Sequence, residues 1–385
     1  MIEKALRGTG SYFAWLAFLL IVIGTGFLFY LKQLDHGLGI TGMSRDVSWG
    51  LYIGQFTFLD GVAASTVMLV LPCYLHNYKA FGKVTILGQF LAVAAAAMCM
   101  IFVIVDLGQP MRAFYMVLYP TPNSMLFWDM IVLNGYLLLN IVIGWTVLGA
   151  ERKGAPPPNW VKSLIYISIP WAISLPTVAA FLYAGLPGRG FWLTAIMAPR
   201  FLASAFASGP ALLILLCLFL KRTTKFRVGE EAIQTLSKIV SYAMTISIFF
   251  LGCEFFTVYY SQITEHTYPF TYLFEGLDGH SALVPWMWAC VILAIVSLIL
   301  LLNPKTRNDE VTLAIACGAV FFSVWIEKGI ILVPTGFVPN PFEGITQYAP
   351  TIPEMGVTLG VWGLGFLILT VLYKVAIRVR EEEAQ

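Results

Sequence analysis

Charge is scarce in this chain: 11% of its 385 residues are Asp, Glu, Lys or Arg, while 59% are hydrophobic. With a mean hydropathy of +0.81, that balance excludes a soluble globular domain. Histidine is scarcer still. Only His76 touches an apolar stretch, whereas His36, His266 and His280 fall between stretches. The two facing axial histidines of a membrane-embedded haem b therefore cannot be assembled. The six cysteines stand singly, with no CxxC spacing. That pattern excludes an iron–sulfur cluster or structural zinc site and leaves them as small core residues. The chain shows no haem, flavin or metal site of its own. No small-residue cleavage site follows the first apolar run, which Lys4 and Arg7 precede, so the run reads as a retained helix and not a removed signal peptide.

What is abundant is apolar sequence in ten stretches. They run roughly Ser11–Leu31, Trp49–His76, Val84–Val105, Ser124–Leu148, Lys162–Tyr183, Phe201–Leu220, Ile239–Tyr260, Leu283–Leu302, Val311–Glu327 and Met355–Lys374. Each approximates the ~20 residues a helix needs to cross the hydrocarbon. All Lys and Arg except Lys32, Arg45, Arg112, Arg189, Arg200 and Lys328 lie on one set of segments: both termini and the 2–3, 4–5, 6–7 and 8–9 connections. Cytoplasmic loops retain basic residues, so both termini are expected in the cytoplasm. An odd helix count would scramble the bias. The net charge of +2 therefore reflects topology and not nucleic-acid binding.

The cytoplasmic connections are short, and the outer ones are longer and rich in Gly, Pro and aromatics. Gln262–Ala282 has no basic residue, and Pro334–Pro353 carries five prolines (Pro334, Pro339, Pro341, Pro350 and Pro353), which predicts a stiff cover. Long ordered loops on one face dock partners or line a site; plain connectors are the other reading. The tail Arg378–Gln385, with Glu381, Glu382 and Glu383, reads as a solvated helix end.

A repeat is also visible. Asp60-Gly61 in the second stretch and Ser208-Gly209 in the sixth each precede an acidic residue by 46 positions, Asp106 and Glu254. This suggests two parallel four-helix units, helices 2–5 and 6–9, flanked by helices 1 and 10, with coincidence as the rival. The expected organisation is a first helix and outer loop (1–48), a first bundle (49–184), a second bundle (185–334), then the Pro-rich loop, last helix and tail (335–385).

An ionisable residue inside a span is costly and marks function by default. Asp106 and Glu327 end their helices outside, Asp129 and Glu254 lie in the outer half, and Asp60 is near mid-membrane. No acidic residue falls in an inner half, an asymmetry that points to proton chemistry opening outward. Asp106 opens Asp106-Leu-Gly-Gln-Pro-Met-Arg112, where Gly108 and Pro110 end the helix. Its carboxylate then faces unsatisfied carbonyls, a field that suits a proton acceptor. A structural Asp106–Arg112 clamp is the alternative. Glu254 has no basic neighbour in sequence and precedes Phe255, Phe256, Tyr259 and Tyr260, a setting for a flat apolar ligand or for a neutral interhelical hydrogen bond. Asp129, Tyr136 and Asn140 share a helical stripe at i, i+7 and i+11, fit to carry protons inward or to glue helices together. Glu327-Lys328 reads as a self-compensating anchor. Trp49, Trp128, Trp286, Trp288 and Trp325 read as belt residues at the outer interface.

The Asp106–Arg112 segment, Gly252-Cys253-Glu254 and Trp325-Ile-Glu-Lys-Gly329 resemble motifs of the NrfD/PsrC family, the membrane quinone-binding subunits of complexes such as polysulfide reductase. Ten helices look most like the DsrP/HmcC branch, and the resemblance spans about residues 10–375. It implies an all-α polytopic subunit in a prokaryotic cytoplasmic membrane that binds menaquinone or ubiquinone near the outer face, with menaquinone the expected substrate. It also implies an iron–sulfur partner subunit there, with a multihaem cytochrome c or further redox subunits as additional partners. Asp106 and Glu254 match family acidic positions; Asp60 and Asp129 are assigned from the residues themselves. The expected site thus comprises Asp106, Asp60, Asp129 and Glu254 as proton-handling groups, with Arg112, Trp128, Tyr136 and His266 contacting the quinone. A proton-coupled transporter is the rival of another class, but no Gly/Pro helix break recurs in both halves; a structural anchor without a quinone site is the second rival.

Overall fold

The computed structural model describes residues 3, 8–76, 78–224, 226, 228–340, 342 and 344–383. The predicted cytoplasmic Lys4, Arg7, Lys225 and Arg227, together with Pro341, Ala384 and Gln385, lie outside the described residues. Among the described residues, ten helices are long and apolar enough to span a membrane. They are α1 Gly10–His36, α2 Leu51–Tyr74, α3 Val84–Asp106, α4 Met125–Glu151, α5 Asn159–Ala184, α6 Met197–Thr223, α7 Glu230–Ser261, α8 Val284–Leu302, α9 Glu310–Thr335 and α10 Ile352–Glu381. The chain is an all-α multi-pass membrane protein.

Two ends differ from the predicted stretches in ways that matter below. Helix α6 begins before Phe201 and takes in Arg200, and α9 continues past Glu327 to Thr335 through a π-helical turn at Glu327–Ile331. Arg200, Glu327 and Lys328 are thus inside spanning helices and not beyond their ends. The segment Gln262–Ala282 is also more than a loop, since it contains the short helix Thr264–Phe274.

The helices close into two rings. Helix α2 packs on α3, α3 on α4, α4 on α5 and α5 back on α2; α6, α7, α8 and α9 repeat the same order of neighbours. Helix α10 lies on α3 outside both rings and carries α1. The apolar windows of α2, α3 and α6 are 72–78% buried and that of α1 only 11%, so the core runs between α2 and α6. Helix α1 buries just Leu19, Gly26 and Gln33, a single line of every seventh residue. A Cβ on Gly26 would lie 2.5 Å from the Gly360 Cα, so backbone meets backbone, the usual means of close helix approach in lipid.

Gly61 and Gly209 mark the α2–α6 crossing. A Cβ on Gly209 would lie 1.8 Å from Ser65 Oγ, and one on Gly61 would lie 3.2 Å from the Ala205 Cβ. Helix α2 loosens here for one turn at Ser65-Thr66. The Ser65 hydroxyl donates to the Val62 carbonyl (2.6 Å), and that of Thr66 donates across to the Gly88 carbonyl on α3 (3.0 Å). Irregular backbone at membrane depth needs such partners.

The two rings are keyed together at the π turn of α9. A π turn leaves carbonyls out of the regular ladder, and the Gln55 amide on α2 donates to the Gly329 carbonyl (3.1 Å). The same side chain's Oε1 accepts from the indole N–H groups of Trp325 (2.8 Å) and Trp362 (3.0 Å). Trp325 therefore points inward and is not a belt residue.

The Pro-rich loop is pinned to the α1–α2 connection by Glu354. This fully buried carboxylate accepts from the backbone N–H groups of Gly42 (2.9 Å) and Leu51 (3.2 Å) and from the Tyr348 hydroxyl. Burial, reinforced by the Glu354 carboxylate, holds the Tyr348 phenol well above its ordinary range, so it stays a donor.

Candidate functional site

The outer half of the first ring concentrates buried polar groups. Asp60 on α2 is 1% exposed and Asp129 on α4 is 8% exposed, and the two lie within electrostatic reach of each other. Tyr183 of α5 lies within electrostatic reach of Asp60, Asp106 and Asp129, and its hydroxyl meets Thr57 Oγ1, one turn above Asp60, at 2.5 Å. Tyr136 and Asn140 are buried on the same face of α4 as Asp129, so the predicted stripe does face the ring interior. The Asn140 amide spends one donor on the Tyr136 carbonyl of its own helix (2.9 Å). Two carboxyl oxygens are buried with no hydrogen-bond partner: Asp60 Oδ2 and Asp106 Oδ1. An unsatisfied buried acceptor of this kind is costly and is tolerated where chemistry uses it.

An aromatic roof covers this interior. Trp49, Trp192, Tyr183 and Phe337 pack ring to ring with centroids 5.0 to 6.2 Å apart. The Trp192 indole N–H donates to the Leu332 carbonyl (3.0 Å), and a Cβ on Gly336 would sit 1.9 Å from the Trp192 ring, so the roof is tightly seated. Trp49 thus belongs to the roof and not to a lipid-facing belt. Arg189 stacks over the Phe337 ring at 4.4 Å, and burial draws its guanidinium below the ordinary arginine value, Asp46 opposing.

Other predicted site residues are placed differently. Arg112 is exposed and forms no ion pair with Asp106, so the Asp106–Arg112 clamp is absent. The reason is local: Pro110–Phe114 forms a 3₁₀ turn that carries the chain outward from Asp106. Asp106 instead lies near Glu354 and Tyr52, whose hydroxyl donates to Gln33 Oε1 (2.7 Å). Trp128 is exposed and caps its own loop through Pro122 (2.8 Å). His266 is on the short helix Thr264–Phe274 at the second ring, apart from the first-ring carboxylates.

Glu254 also belongs to the second ring, and it is not an isolated acid. Arg200 of α6 pairs with it through Nη1 and holds Glu327 of α9 through Nε (3.1 Å) and Nη2 (2.5 Å). Glu327 is thus hydrogen-bonded to Arg200, while Lys328 next to it still feels its charge. Lys328, 2% exposed, reaches the crossing of α2 and α6. Its Nζ donates to the Phe201 carbonyl (3.3 Å), lies 4.1 Å from the Phe201 ring and senses Glu327 and, more weakly, Asp60 electrostatically. Beside the triad lies a cavity of about 40 Å³ that runs among α7, α8 and α9 and is walled by Met244, Ser247, Met287, Ser323, Glu327 and Arg200.

Comparison with known proteins places this arrangement. The sequence pattern of the family described as "Polysulphide reductase, NrfD" matches residues 39–339, from the α1–α2 connection through the π turn of α9. The chain belongs to the NrfD family. Among similar proteins is one of Halobacterium salinarum, provisionally named as a membrane subunit of dimethyl sulfoxide reductase; it is 27% identical, with 91% of this chain and 87% of the relative aligned. The C subunit of selenate reductase from Mesobacillus selenatarsenatis is 23% identical over 94% of this chain and 92% of the relative. The Hdr-like menaquinol oxidoreductase integral membrane subunit of Archaeoglobus fulgidus is 23% identical over 99% of this chain and 98% of the relative.

Several interior groups of this NrfD chain escape a reading of composition and spacing: Thr57, Tyr183, Trp192, Arg200, Lys328 and Glu354. A signal existed for two of them. The apolar run Gly329–Val333 continues past Glu327-Lys328, so the span need not end there, and Arg200 directly abuts the next run. The other four look like ordinary span or loop residues until the helices are assembled.

Proposed function

We propose that this chain is the menaquinol-binding integral membrane subunit of a respiratory oxidoreductase in a prokaryotic cytoplasmic membrane, with both termini cytoplasmic. The quinol ring binds in the outer half of the first ring of helices, beneath the aromatic roof and beside Asp129, Asp60 and the Tyr183–Thr57 hydroxyl pair. The carrying observation is the pair of buried, unpartnered carboxyl oxygens on Asp60 and Asp106. Oxidation of one quinol releases two electrons and two protons. The protons pass to carboxylates within hydrogen-bond reach or one water away, and the electrons leave to an iron–sulfur subunit docked over the outer loops. Quinone reduction uses the same groups in reverse.

The roof excludes water, which strengthens every electrostatic interaction below it. Tyr136 and Asn140 continue the polar stripe inward from Asp129. The docking face is supported by exposed apolar side chains at the outer loops, among them Phe342 (88% exposed) and Ile263, an uncommon expenditure of apolar surface outside the spans. The assay is quinol oxidation and complex yield for Asp60→Asn, Asp129→Asn and Asp106→Asn, each isosteric and unable to accept a proton. Turnover falling at least tenfold with yield retained in one or more supports the reading, and three variants with normal turnover overturn it.

A further inference from the structure

Four carboxyl groups and two cations are enclosed where the two rings meet and in the second ring: Asp60, Asp129, Glu254 and Glu327 with Lys328 and Arg200. Fully ionised, they would leave two uncompensated negative charges in the membrane interior, a state far costlier than protonating two of the acids. Geometry divides the six into two sets. Glu254 and Glu327 converge on the single guanidinium of Arg200. Lys328 is ion-paired with neither glutamate; its Nζ sits at the α2–α6 crossing, 3.9 Å from where a Cβ on Gly61 would stand, and feels the charge of both Glu327 and Asp60. The other polar groups near Glu254 do not restore the balance. On α8 the Cys290 thiol is engaged with the Ser323 carbonyl (3.3 Å). Within hydrogen-bond reach the two carboxylates therefore share a single cation, the Arg200 guanidinium.

A second observation gives that imbalance an outlet. The cavity beside the triad has a wall of Arg200, Glu327, Ser247 and Ser323, and its roughly 40 Å³ is room for about three waters. It extends from mid-membrane at Met244 and Ala294 to the outer cap at Phe191, Phe270 and Leu273. Glu327, the more open of the two acids, faces it.

We propose that the Arg200–Glu254–Glu327 triad is a proton-binding site in the second ring, separate from the quinol site. One proton is shared by the two glutamates and exchanges with the outer face through water in the adjoining cavity. No bond other than O–H forms or breaks: a carboxylate oxygen takes the proton from a hydronium ion and returns it to water.

The test is the carboxylic-acid C=O band in the infrared spectrum of the purified complex, recorded in H₂O and in D₂O without added quinol. The wild type should show a band that shifts on deuteration. Glu254→Gln and Glu327→Gln should each remove the same component of it, since each leaves one ionised glutamate on Arg200 and no proton to share. Asp35→Asn, at the exposed outer end of α1, should leave the band unchanged. An unaltered amide band and retained complex yield show that each variant is folded. If both Gln variants keep the full band, the triad is an ionised clamp and the proposal is overturned. The proposal fails equally if the band disappears entirely in Asp60→Asn or Asp129→Asn. Because no quinol is present, the outcome is independent of whether the chain oxidises quinol.

Discussion

Replacing Arg200 by methionine tests how the second ring is held together. Arg200 is 6% exposed and makes three charge-assisted hydrogen bonds, one to Glu254 and two to Glu327. Each such bond contributes roughly 1.5–3 kcal/mol, but they share one guanidinium and do not add. The larger effect is what remains: two buried carboxyl groups stripped of their hydrogen-bonded counter-charge, so the expected loss is about 3–5 kcal/mol. Methionine matches the aliphatic stem, which keeps the packing change small. Neutralising the partners as well, in Arg200→Met/Glu254→Gln/Glu327→Gln, should recover most of the loss, because a buried triad exchanged whole for neutral groups of similar shape is close to neutral. Denaturant titration of the detergent-solubilised complex, followed by tryptophan fluorescence, would measure both. An Arg200→Met protein within about 1 kcal/mol of wild type would refute the reasoning, since the triad could then not be the buried unit described.

Four further outcomes follow from the packing and the topology. Gly54→Ala places a Cβ 2.3 Å from the Gly329 carbonyl oxygen, a backbone atom at the joint between the rings; about 1–3 kcal/mol should be lost in the same titration, with Ala64→Gly as a control that creates no clash. Tyr348→Phe removes a donor from the buried Glu354 carboxylate and should cost about 1.5–3 kcal/mol while raising protease cleavage within residues 336–351. Arg112→Ala should assemble normally, because the side chain is exposed and unpaired with Asp106; a fall in complex yield would restore the clamp. Cysteines introduced at Ser44 and Thr223 should react with impermeant maleimide from opposite faces of oriented membranes, Ser44 from outside; labelling from one face would break the topology.

The helix count was legible because hydropathy and basic-residue placement respond to the bilayer, which acts on each stretch independently. The buried stripe Asp129, Tyr136 and Asn140 was legible for a similar reason: it is a periodicity within one helix. Pairings between helices were not. Glu254 looks partnerless along the chain, yet its partner Arg200 is 54 residues away on α6. Arg112 looks like the partner of Asp106, but a 3₁₀ turn separates them. Glu327 and Lys328 are adjacent in sequence and make different contacts, Glu327 with Arg200 and Lys328 with the Phe201 carbonyl at the α2–α6 crossing, because the π turn changes the direction of successive side chains in a way that a 3.6-residue period does not anticipate. Trp49 and Trp325 have the composition of belt residues, and only the roof and the Gln55 contact reveal them as interior groups.

Where the quinol ring sits is the central question, and photolabelling answers it most directly. A menaquinone analogue carrying a photoreactive group on its ring would be cross-linked to the intact complex, and the labelled peptides identified by mass spectrometry. Labelling is expected on α2, α4 and α5 around Thr57, Asp129 and Tyr183, and to be suppressed by excess unmodified menaquinone. Competable labelling confined to α7, α8 and α9 around Met244 and Met287 would place the ring in the second set of helices and contradict the account.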